Sequence, residues 1–154
     1  NVSAVTGKKD KIEYLKSLGA KTIIDRKELE GEPRVLGKGL WDGVVDTIGG
    51  TVLSNAISQT KNNGIVAACG NASSIKLHTT VMPFIIRGVK LWGIDSVTVG
   101  KKRREFLWQQ VSNLIDFNLL EKNIKIVNLE ELLGIFPAML KGETSGRILV
   151  DLKK

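Results

Sequence analysis

The sequence has few of the residues that build most metal and nucleophilic sites. Its 154 residues include one cysteine, Cys69, and one histidine, His78. A single cysteine excludes a disulfide within the chain and any cysteine-cluster metal site. A single histidine excludes a histidine-rich metal site and disfavours a Ser/His/Asp relay. We therefore expect no metal site here, and we interpret Cys69 as a small buried hydrophobe and His78 as a loop residue.

Long hydrophobic runs are also lacking. No apolar run reaches the length that a bilayer-spanning helix needs. The first five residues, NVSAV, contain no initiator methionine and no signal-peptide pattern, and they have the character of the interior of a longer chain. Together with the lone cysteine, these features predict a cytoplasmic protein with no membrane partner.

Positive charge is present in excess. Lysine and arginine number 23 against 16 acidic residues, which gives a formal net charge of +7. Such a balance suits an anionic partner, although a solvated surface rich in lysine explains most of these charges. The densest run, Lys101–Arg104, lies at the start of a predicted helix, where it opposes the helix dipole. Because no basic motif is interleaved with aromatic residues, we expect no nucleic acid partner and keep a non-catalytic, basic nucleic-acid- or anion-binding protein as the alternative.

Short apolar runs alternate with amphipathic stretches over most of the chain. Nearly continuous apolar runs are typical of parallel strands that are covered on both faces. The spacing of Asp10 and Glu13 predicts a capping box, and Gly19 a helix C-cap. The predicted strands are Val2–Val5, Thr22–Ile24, Gly43–Asp46, Ile65–Cys69 and Val89–Gly93, and the predicted helices are Asp10–Leu18, Thr51–Gln59 and Lys102–Ile115.

This alternation predicts an α/β fold, a parallel sheet with helices on both faces, which binds ligands at the carboxyl ends of its strands. Residues 28–40 are predicted to be irregular, with at most a short helix. The pattern changes after residue 117, so we predict a nucleotide-binding domain over residues 1–117 and a separate segment over 118–154. That segment should contain a strand, a helix that Pro137 kinks or shortens, and a final strand: Ile124–Val127, Leu129–Leu140 and Arg147–Leu152.

The first predicted strand ends in Thr6-Gly7-Lys8. In dinucleotide-binding folds this strand end meets the adenosine ribose, where an acidic residue would bind the hydroxyls of NAD. No acidic residue occurs here before residue 10. Gly7 leaves room for a phosphate group, and Lys8 offers a cation. Arg26, at the end of the next strand, adds a planar fork suited to a 2′-phosphate. The alternative, a generic turn before a basic helix, stays open.

Small and polar residues follow the other strands. Glycine lets a backbone approach a flat ring closely, and Ser96 can orient a carboxamide or a substrate carbonyl. The same residues are ordinary turn formers, and we expect Asp46 and Asp95 to cap turns. The tryptophans are interpreted as core or interface aromatics: Trp41, Trp92 and Trp108.

Five segments resemble, in order, the acrylyl-CoA reductase/quinone oxidoreductase family of the zinc-independent medium-chain dehydrogenase/reductase superfamily. They are VTGKKDKIEYLKSLGAKTIIDR, WDGVVDTIGG, VAACGNA, TTVMPFIIRGVKLWGIDSV and GETSGRILVDL. The resemblance implies a catalytic domain with a barrel-like core, a Rossmann domain and a return to the catalytic domain. It implies hydride transfer from NADPH, without zinc, to an activated carbon–carbon double bond or a quinone. The double bond would belong to an acryloyl-CoA-like thioester or an α,β-unsaturated carbonyl compound.

The resemblance also implies residue roles and a partner. Thr6, Gly7 and Lys8 would match the adenosine-phosphate turn, and Arg26 a basic residue on the same phosphate. The remaining cofactor-lining positions would be Asn71, Ile85 and Ser96. Ser96 and Arg147, a basic residue near the active-site cleft, are the catalytic candidates. A homodimer would form by strand pairing around Val89–Gly93, and a relative that has lost activity remains an alternative.

The sequence departs from the family pattern in one respect. The family's first Rossmann strand and its glycine-rich pyrophosphate turn have no counterpart here. We therefore predict a Rossmann-like doubly wound parallel sheet that lacks its first strand and Gly-rich loop, plus a C-terminal return segment. Two strands should then have unpaired edges. The 154-residue chain alone should bind NADPH poorly and should have no reductase activity.

Overall fold

The computed structural model describes residues 1–153 and divides into two compact units, Asn1–Gly100 and the residues from Lys101 onward. The first unit holds five strands and three helices. In chain order these are β1 (Val2–Thr6), α1 (Ile12–Ser17), β2 (Ala20–Asp25), β3 (Trp41–Asp46), α2 (Gly50–Ser58), β4 (Thr60–Ala68), α3 (Met82–Arg87) and β5 (Lys90–Gly93).

All strand pairs in this unit are parallel, as the apolar runs predict. β1 pairs with β2 so that Thr6 lies opposite Asp25. A second sheet has the order β3-β4-β5, in which Ala68 lies opposite both Asp46 and Gly93. Within residues 1–153, β1 and β3 each have one partner strand, so the predicted open edges are present. The carboxyl ends of β3, β4 and β5 therefore lie side by side at one edge of the second sheet. The carboxyl ends of β1 and β2 lie side by side at one edge of the first sheet.

The core of this unit lies between α2 and the second sheet. Leu53 and Ile57 of α2 pack with Val66 of β4 and with Val89, and all four are at most 7% exposed. Each fully buried side chain of this size contributes roughly 1.5–3 kcal/mol relative to its exposed state. Nearly all of α2 is buried, which fixes the β3–α2 turn against the sheet.

Two elements of this unit differ from the predicted pattern. α3 was not predicted, because it has six residues and a proline, Pro83, in its first turn; Gly88 ends it with a φ of 60°. β4 begins at Thr60, five residues before the predicted start. Its polar first half contains Asn63 with a φ of 61°, and the pairing with β3 shifts register there.

The start of α1 also differs from the prediction, whereas its end agrees. A 3₁₀ turn precedes α1, and no side chain caps the helix at Lys11, so the predicted capping box between Asp10 and Glu13 is wrong. Glu13 instead accepts a bond from Lys16 Nζ at 2.9 Å. Gly19 follows the helix with a φ of 99° and donates its N–H to Lys16 O, as expected of a C-terminal glycine.

The second unit contains a parallel strand pair and three helices. The elements are α4 (Lys101–Leu114), α5 (Phe117–Glu121), β6 (Ile124–Val127), α6 (Leu132–Leu140) and β7 (Arg147–Val150). α6 is shorter than predicted and accommodates Pro137 inside it. α5 was not predicted; Asp116 caps it by accepting the N–H of Asn118. In neither unit is a described helix long and apolar enough to cross a membrane. The division at residue 117 stays a prediction.

Candidate functional site

The paired ends of β1 and β2 bring Gly7 and Arg26 together. Thr6 lies opposite Asp25, so the residues that follow them, Gly7 and Arg26, are also neighbours. A Cβ atom at Gly7 would stand 3.4 Å from both Cζ and Nη2 of Arg26. The guanidinium group therefore lies against the Gly7 backbone, in space that a side chain longer than alanine would fill.

Hydrogen bonds fix both the backbone around Arg26 and its side chain. Asp25 Oδ1 accepts the N–H of Lys27 at 3.0 Å and begins a 3₁₀ turn, Arg26–Leu29. Leu29 is 4% exposed and anchors this turn. The Arg26 Nε atom donates to Glu30 Oε1 at 2.7 Å. Since this bond uses Nε, the two terminal nitrogens are not bonded to Glu30, and Nη2 lies beside Gly7.

Thr6 and Lys8 complete the turn after β1. The Lys8 backbone N–H donates to Thr6 Oγ1 at 3.0 Å. Because this oxygen accepts, the Thr6 hydroxyl keeps its proton for donation to an anion. Lys8 is half-buried and adds positive charge at the same strand end. The sequence-predicted residues Thr6, Gly7 and Lys8 thus lie at the end of β1, and Arg26 lies at the neighbouring end of β2.

A buried carboxylate shapes the turn after β3. Asp46 is 4% exposed and accepts the N–H groups of Ile48 at 3.3 Å and Gly49 at 2.9 Å, which confirms its predicted turn-capping role. Gly49 has φ 70° and ψ −161°, a conformation that is essentially restricted to glycine. A Cβ atom there would collide with the Ser74 carbonyl oxygen.

The loop after β4 packs against this turn and carries Asn71. Backbone N–H groups of Ala72 and Ser73 donate to Thr47 O (3.2 Å) and Ile48 O (2.8 Å). The Cα of Asn71 lies 3.3 Å from the place of a Gly49 Cβ, and Asn71 is exposed. Asn71 therefore lies at the joined carboxyl ends of β3 and β4.

Cys69 begins the same loop and is exposed, so its interpretation as a buried hydrophobe is wrong. It comes just after β4 ends and sits at the sheet edge instead of inside the core. Its backbone N–H and its thiol both donate to Asp46 O, at 2.9 and 3.2 Å. It therefore helps to join the two strand ends.

The loop after β5 presents Ser96. Asp95 accepts the N–H groups of Val97 at 2.8 Å and Thr98 at 3.1 Å, together with the Thr98 hydroxyl. These bonds to the carboxylate, first of all the Thr98 hydroxyl, lower the pKa of Asp95. Asp95 thus caps a turn as predicted, and it fixes the loop around the exposed Ser96.

Ile85 is carried by α3 and is 73% exposed. α3 is held in place by Arg87, whose guanidinium group donates to Ser58 O at 2.9 Å, to Thr60 O at 3.0 Å and to Gly37 O. Sequence reasoning gave Arg87 no role. The available signal was a single arginine at the end of an otherwise apolar helix.

Arg147 opens β7 in the second unit. It is exposed, and its backbone N–H donates to Asn123 O at 3.0 Å.

Trp92 and Trp108 are each 65% exposed, so a core role for them is wrong, whereas Trp41 is half-buried. Both exposed tryptophans remain candidates for an interface. No group of three histidine, cysteine, aspartate or glutamate residues within the described range is placed to hold a metal ion.

Comparison with known proteins places this arrangement in a family. The zinc-binding dehydrogenase family model matches residues 1–117. The chain belongs to this family. It is 40% identical to acrylyl-CoA reductase AcuI of Ruegeria pomeroyi over 98% of the chain and 46% of that protein. It is 37% identical to the "Putative quinone oxidoreductase YhfP" of Bacillus subtilis over 99% of the chain and 47% of that protein.

Solved structures agree with these relatives. The yhdH oxidoreductase from Salmonella enterica in complex with NADP superposes with a TM-score of 0.93 at 38% identity, over 99% of this chain and 47% of that one. Bacillus subtilis yhfP with NAD bound gives a TM-score of 0.88 at 36% identity, with the same coverages. The chain spans slightly less than half the length of these relatives. The predicted family resemblance and the Rossmann-like α/β fold are therefore confirmed.

Proposed function

We propose that this chain forms the NADPH-binding part of a reductase that transfers hydride to an activated carbon–carbon double bond, in an acryloyl-CoA-like thioester or an α,β-unsaturated carbonyl compound. The observation that carries the proposal is the Arg26 guanidinium group lying against Gly7 at the paired ends of β1 and β2. Similarity to an acrylyl-CoA reductase supports the substrate class.

The residues at the first strand end fit the 2′-phosphate of NADPH. A phosphate group has several acceptor oxygens, and a planar guanidinium fork can donate to two of them. Arg26 offers its terminal nitrogens there, Lys8 adds a second cation, and Thr6 keeps a hydroxyl proton. The bare Gly7 backbone leaves space between them.

The remaining candidates would hold the rest of the cofactor. Asn71 lies where the β3 and β4 ends join, Ser96 follows β5, and Ile85 is an exposed apolar side chain on α3. The reduced nicotinamide, when bound, supplies the hydride. Ser96 and Arg147 are the candidates to stabilise negative charge on the substrate carbonyl oxygen by hydrogen bonding.

A quinone is the second candidate acceptor, and similarity to a quinone oxidoreductase favours it. Both acceptors take up hydride and place negative charge on an oxygen atom, so the same donors would serve either.

We also propose a homodimer that forms through β5. In the part of the chain that the structure describes, this strand has one partner strand, β4; its four residues are all exposed, and Trp92 is 65% exposed. An open edge that exposes Leu91 and Trp92 favours pairing with a second copy. Light scattering of the full-length protein should give twice the subunit mass, and replacing Trp92 with lysine should give the monomer mass. A monomeric wild type would contradict this.

The enzymatic proposal is tested with the full-length protein that contains this chain. NADPH oxidation is followed by absorbance with acryloyl-CoA and, separately, with a simple quinone; both assays are repeated with NADH. Rapid oxidation of NADPH and slow oxidation of NADH would support the proposal, and the faster acceptor identifies the substrate class. If no acceptor oxidises either cofactor, the reductase proposal fails. Salt-dependent nucleic acid binding would then favour the basic binding protein.

A further inference from the structure

The Arg26 side chain has a single recorded protein partner among residues 1–153, and that partner is acidic. Glu30 Oε1 accepts Arg26 Nε at 2.7 Å, four residues along the chain. The bond engages the nitrogen nearest the stem of the side chain. It leaves the two terminal nitrogens without a bond to Glu30, and one of them, Nη2, lies 3.4 Å from the place of a Gly7 Cβ.

The backbone of Glu30 is fixed by hydrogen bonds to the residues on either side of it. The Asn55 side-chain amide donates to Leu29 O at 2.9 Å and to Gly31 O at 2.7 Å, which are the carbonyls on either side of Glu30. Asn55 lies in α2 and is 4% exposed. The backbone that carries Glu30 is therefore tied to the core, although the Glu30 side chain is 44% exposed.

A carboxylate this close to a phosphate-binding group has two opposing effects. Its charge repels a phosphate, and its hydrogen bond orients the arginine that binds the phosphate. An unrestrained arginine loses about 2 kcal/mol of rotamer entropy when it is fixed. Because Glu30 bonds to Nε and leaves both terminal nitrogens for a phosphate, we expect orientation to be the larger effect.

We infer that Glu30 is a positioning residue that determines cofactor specificity, by holding the Arg26 fork toward the 2′-phosphate. The inference rests on the proposed function, which assigns that phosphate to Arg26. It gives the glutamate no contact with the cofactor and no part in the chemical step.

The test compares kcat/KM for NADPH with kcat/KM for NADH in the full-length protein and its variants. Glu30→Ala removes the acceptor, whereas Glu30→Gln keeps an acceptor oxygen without the charge. Glu32→Ala is the matched control, since it removes an exposed acid that has no recorded partner in the described residues. The NADH value serves as an internal check of folding in each variant.

We expect Glu30→Ala to lower the preference for NADPH about twofold to fivefold through KM, the size expected for a half-exposed ion pair. Glu30→Gln should restore most of the preference, and Glu32→Ala should leave it unchanged. An unchanged or increased preference in Glu30→Ala would overturn the inference, because repulsion would then outweigh orientation. If Arg26→Ala also keeps the wild-type preference, the phosphate assignment in the proposed function has failed instead.

Discussion

Arg87 joins three backbone segments of the first unit, and replacing it with alanine should destabilise that unit. Its guanidinium group donates to carbonyl oxygens of Ser58, at the end of α2, Thr60, at the start of β4, and Gly37, in the loop before β3. Without these bonds, α3 would keep its apolar packing through Phe84 on the core cluster. The same helix carries Ile85, the apolar cofactor candidate.

The size of the effect follows from these bonds. A hydrogen bond from a charged donor contributes about 1.5–3 kcal/mol. Ser58 O keeps a second donor, the N–H of Gly37 at 2.9 Å, so its loss is small. The other two carbonyls lose a charged donor, and water can replace part of each bond because Arg87 is half-buried. We therefore expect Arg87→Ala to lower the free energy of unfolding by about 3 kcal/mol, and Arg87→Lys by about half as much.

Urea unfolding of the full-length protein, followed by tryptophan fluorescence, measures this difference. Arg34→Ala is the matched control, because Arg34 is an exposed arginine in the same loop region and has no recorded partner among residues 1–153. The free energy of unfolding of the control should stay within about 0.5 kcal/mol of the wild-type value, as it does for most surface substitutions. A loss below about 1 kcal/mol in Arg87→Ala would refute the reasoning, since one neutral hydrogen bond has that size.

Three further predictions concern the strand ends. Gly49→Ala should cost about 3 kcal/mol or more in thermal unfolding, because φ is 70° and the added Cβ meets Ser74 O; wild-type stability would contradict this. Asp46→Asn should cost about 1–3 kcal/mol, because a carboxylate acceptor of two N–H groups becomes an amide with one acceptor oxygen; an unchanged melting temperature would contradict this. The lowered pKa of Asp95 means that its bonds are fully present above its ordinary pKa of 3.8 and are lost as pH falls through the lower folded value. The Thr98 amide should therefore lose its protection from hydrogen exchange only when the pH falls through the lowered pKa of Asp95. Protection of this amide that does not change with pH would contradict this.

The strand positions could be predicted from the sequence because runs such as Val2–Val5 and Gly43–Asp46 are short, apolar and followed by turn residues. Those signals are local, and the structure places β1 and β3 within one or two residues of them. The first half of β4 could not be predicted, since its residues 61–63, Lys-Asn-Asn, are polar and lie where the pairing with β3 shifts register. The capping box failed because a 3₁₀ turn competes for the same residues before α1.

One part of the candidate site could be predicted from the sequence. Thr6-Gly7-Lys8 and Arg26 could be proposed as neighbours because adjacent parallel strands end at the same edge, and their proximity agrees with the register. The roles of Glu30 and Asn55 could not be predicted. Glu30 looks like any surface acid, and the contacts of Asn55 with Leu29 O and Gly31 O join residues more than 20 positions apart. Such contacts exist only once α2 has packed.

The most direct test of a 2′-phosphate site beside Gly7 is the affinity of the full-length protein for two small ligands, measured by calorimetry. Adenosine 2′,5′-bisphosphate carries the phosphate that Arg26 would bind, and adenosine 5′-monophosphate lacks it. We predict that the bisphosphate binds at least about tenfold more tightly, the equivalent of about 1.4 kcal/mol, and that Arg26→Ala removes the difference. Equal affinities for the two ligands in the wild-type protein would contradict the assignment of the NADPH phosphate to this strand end.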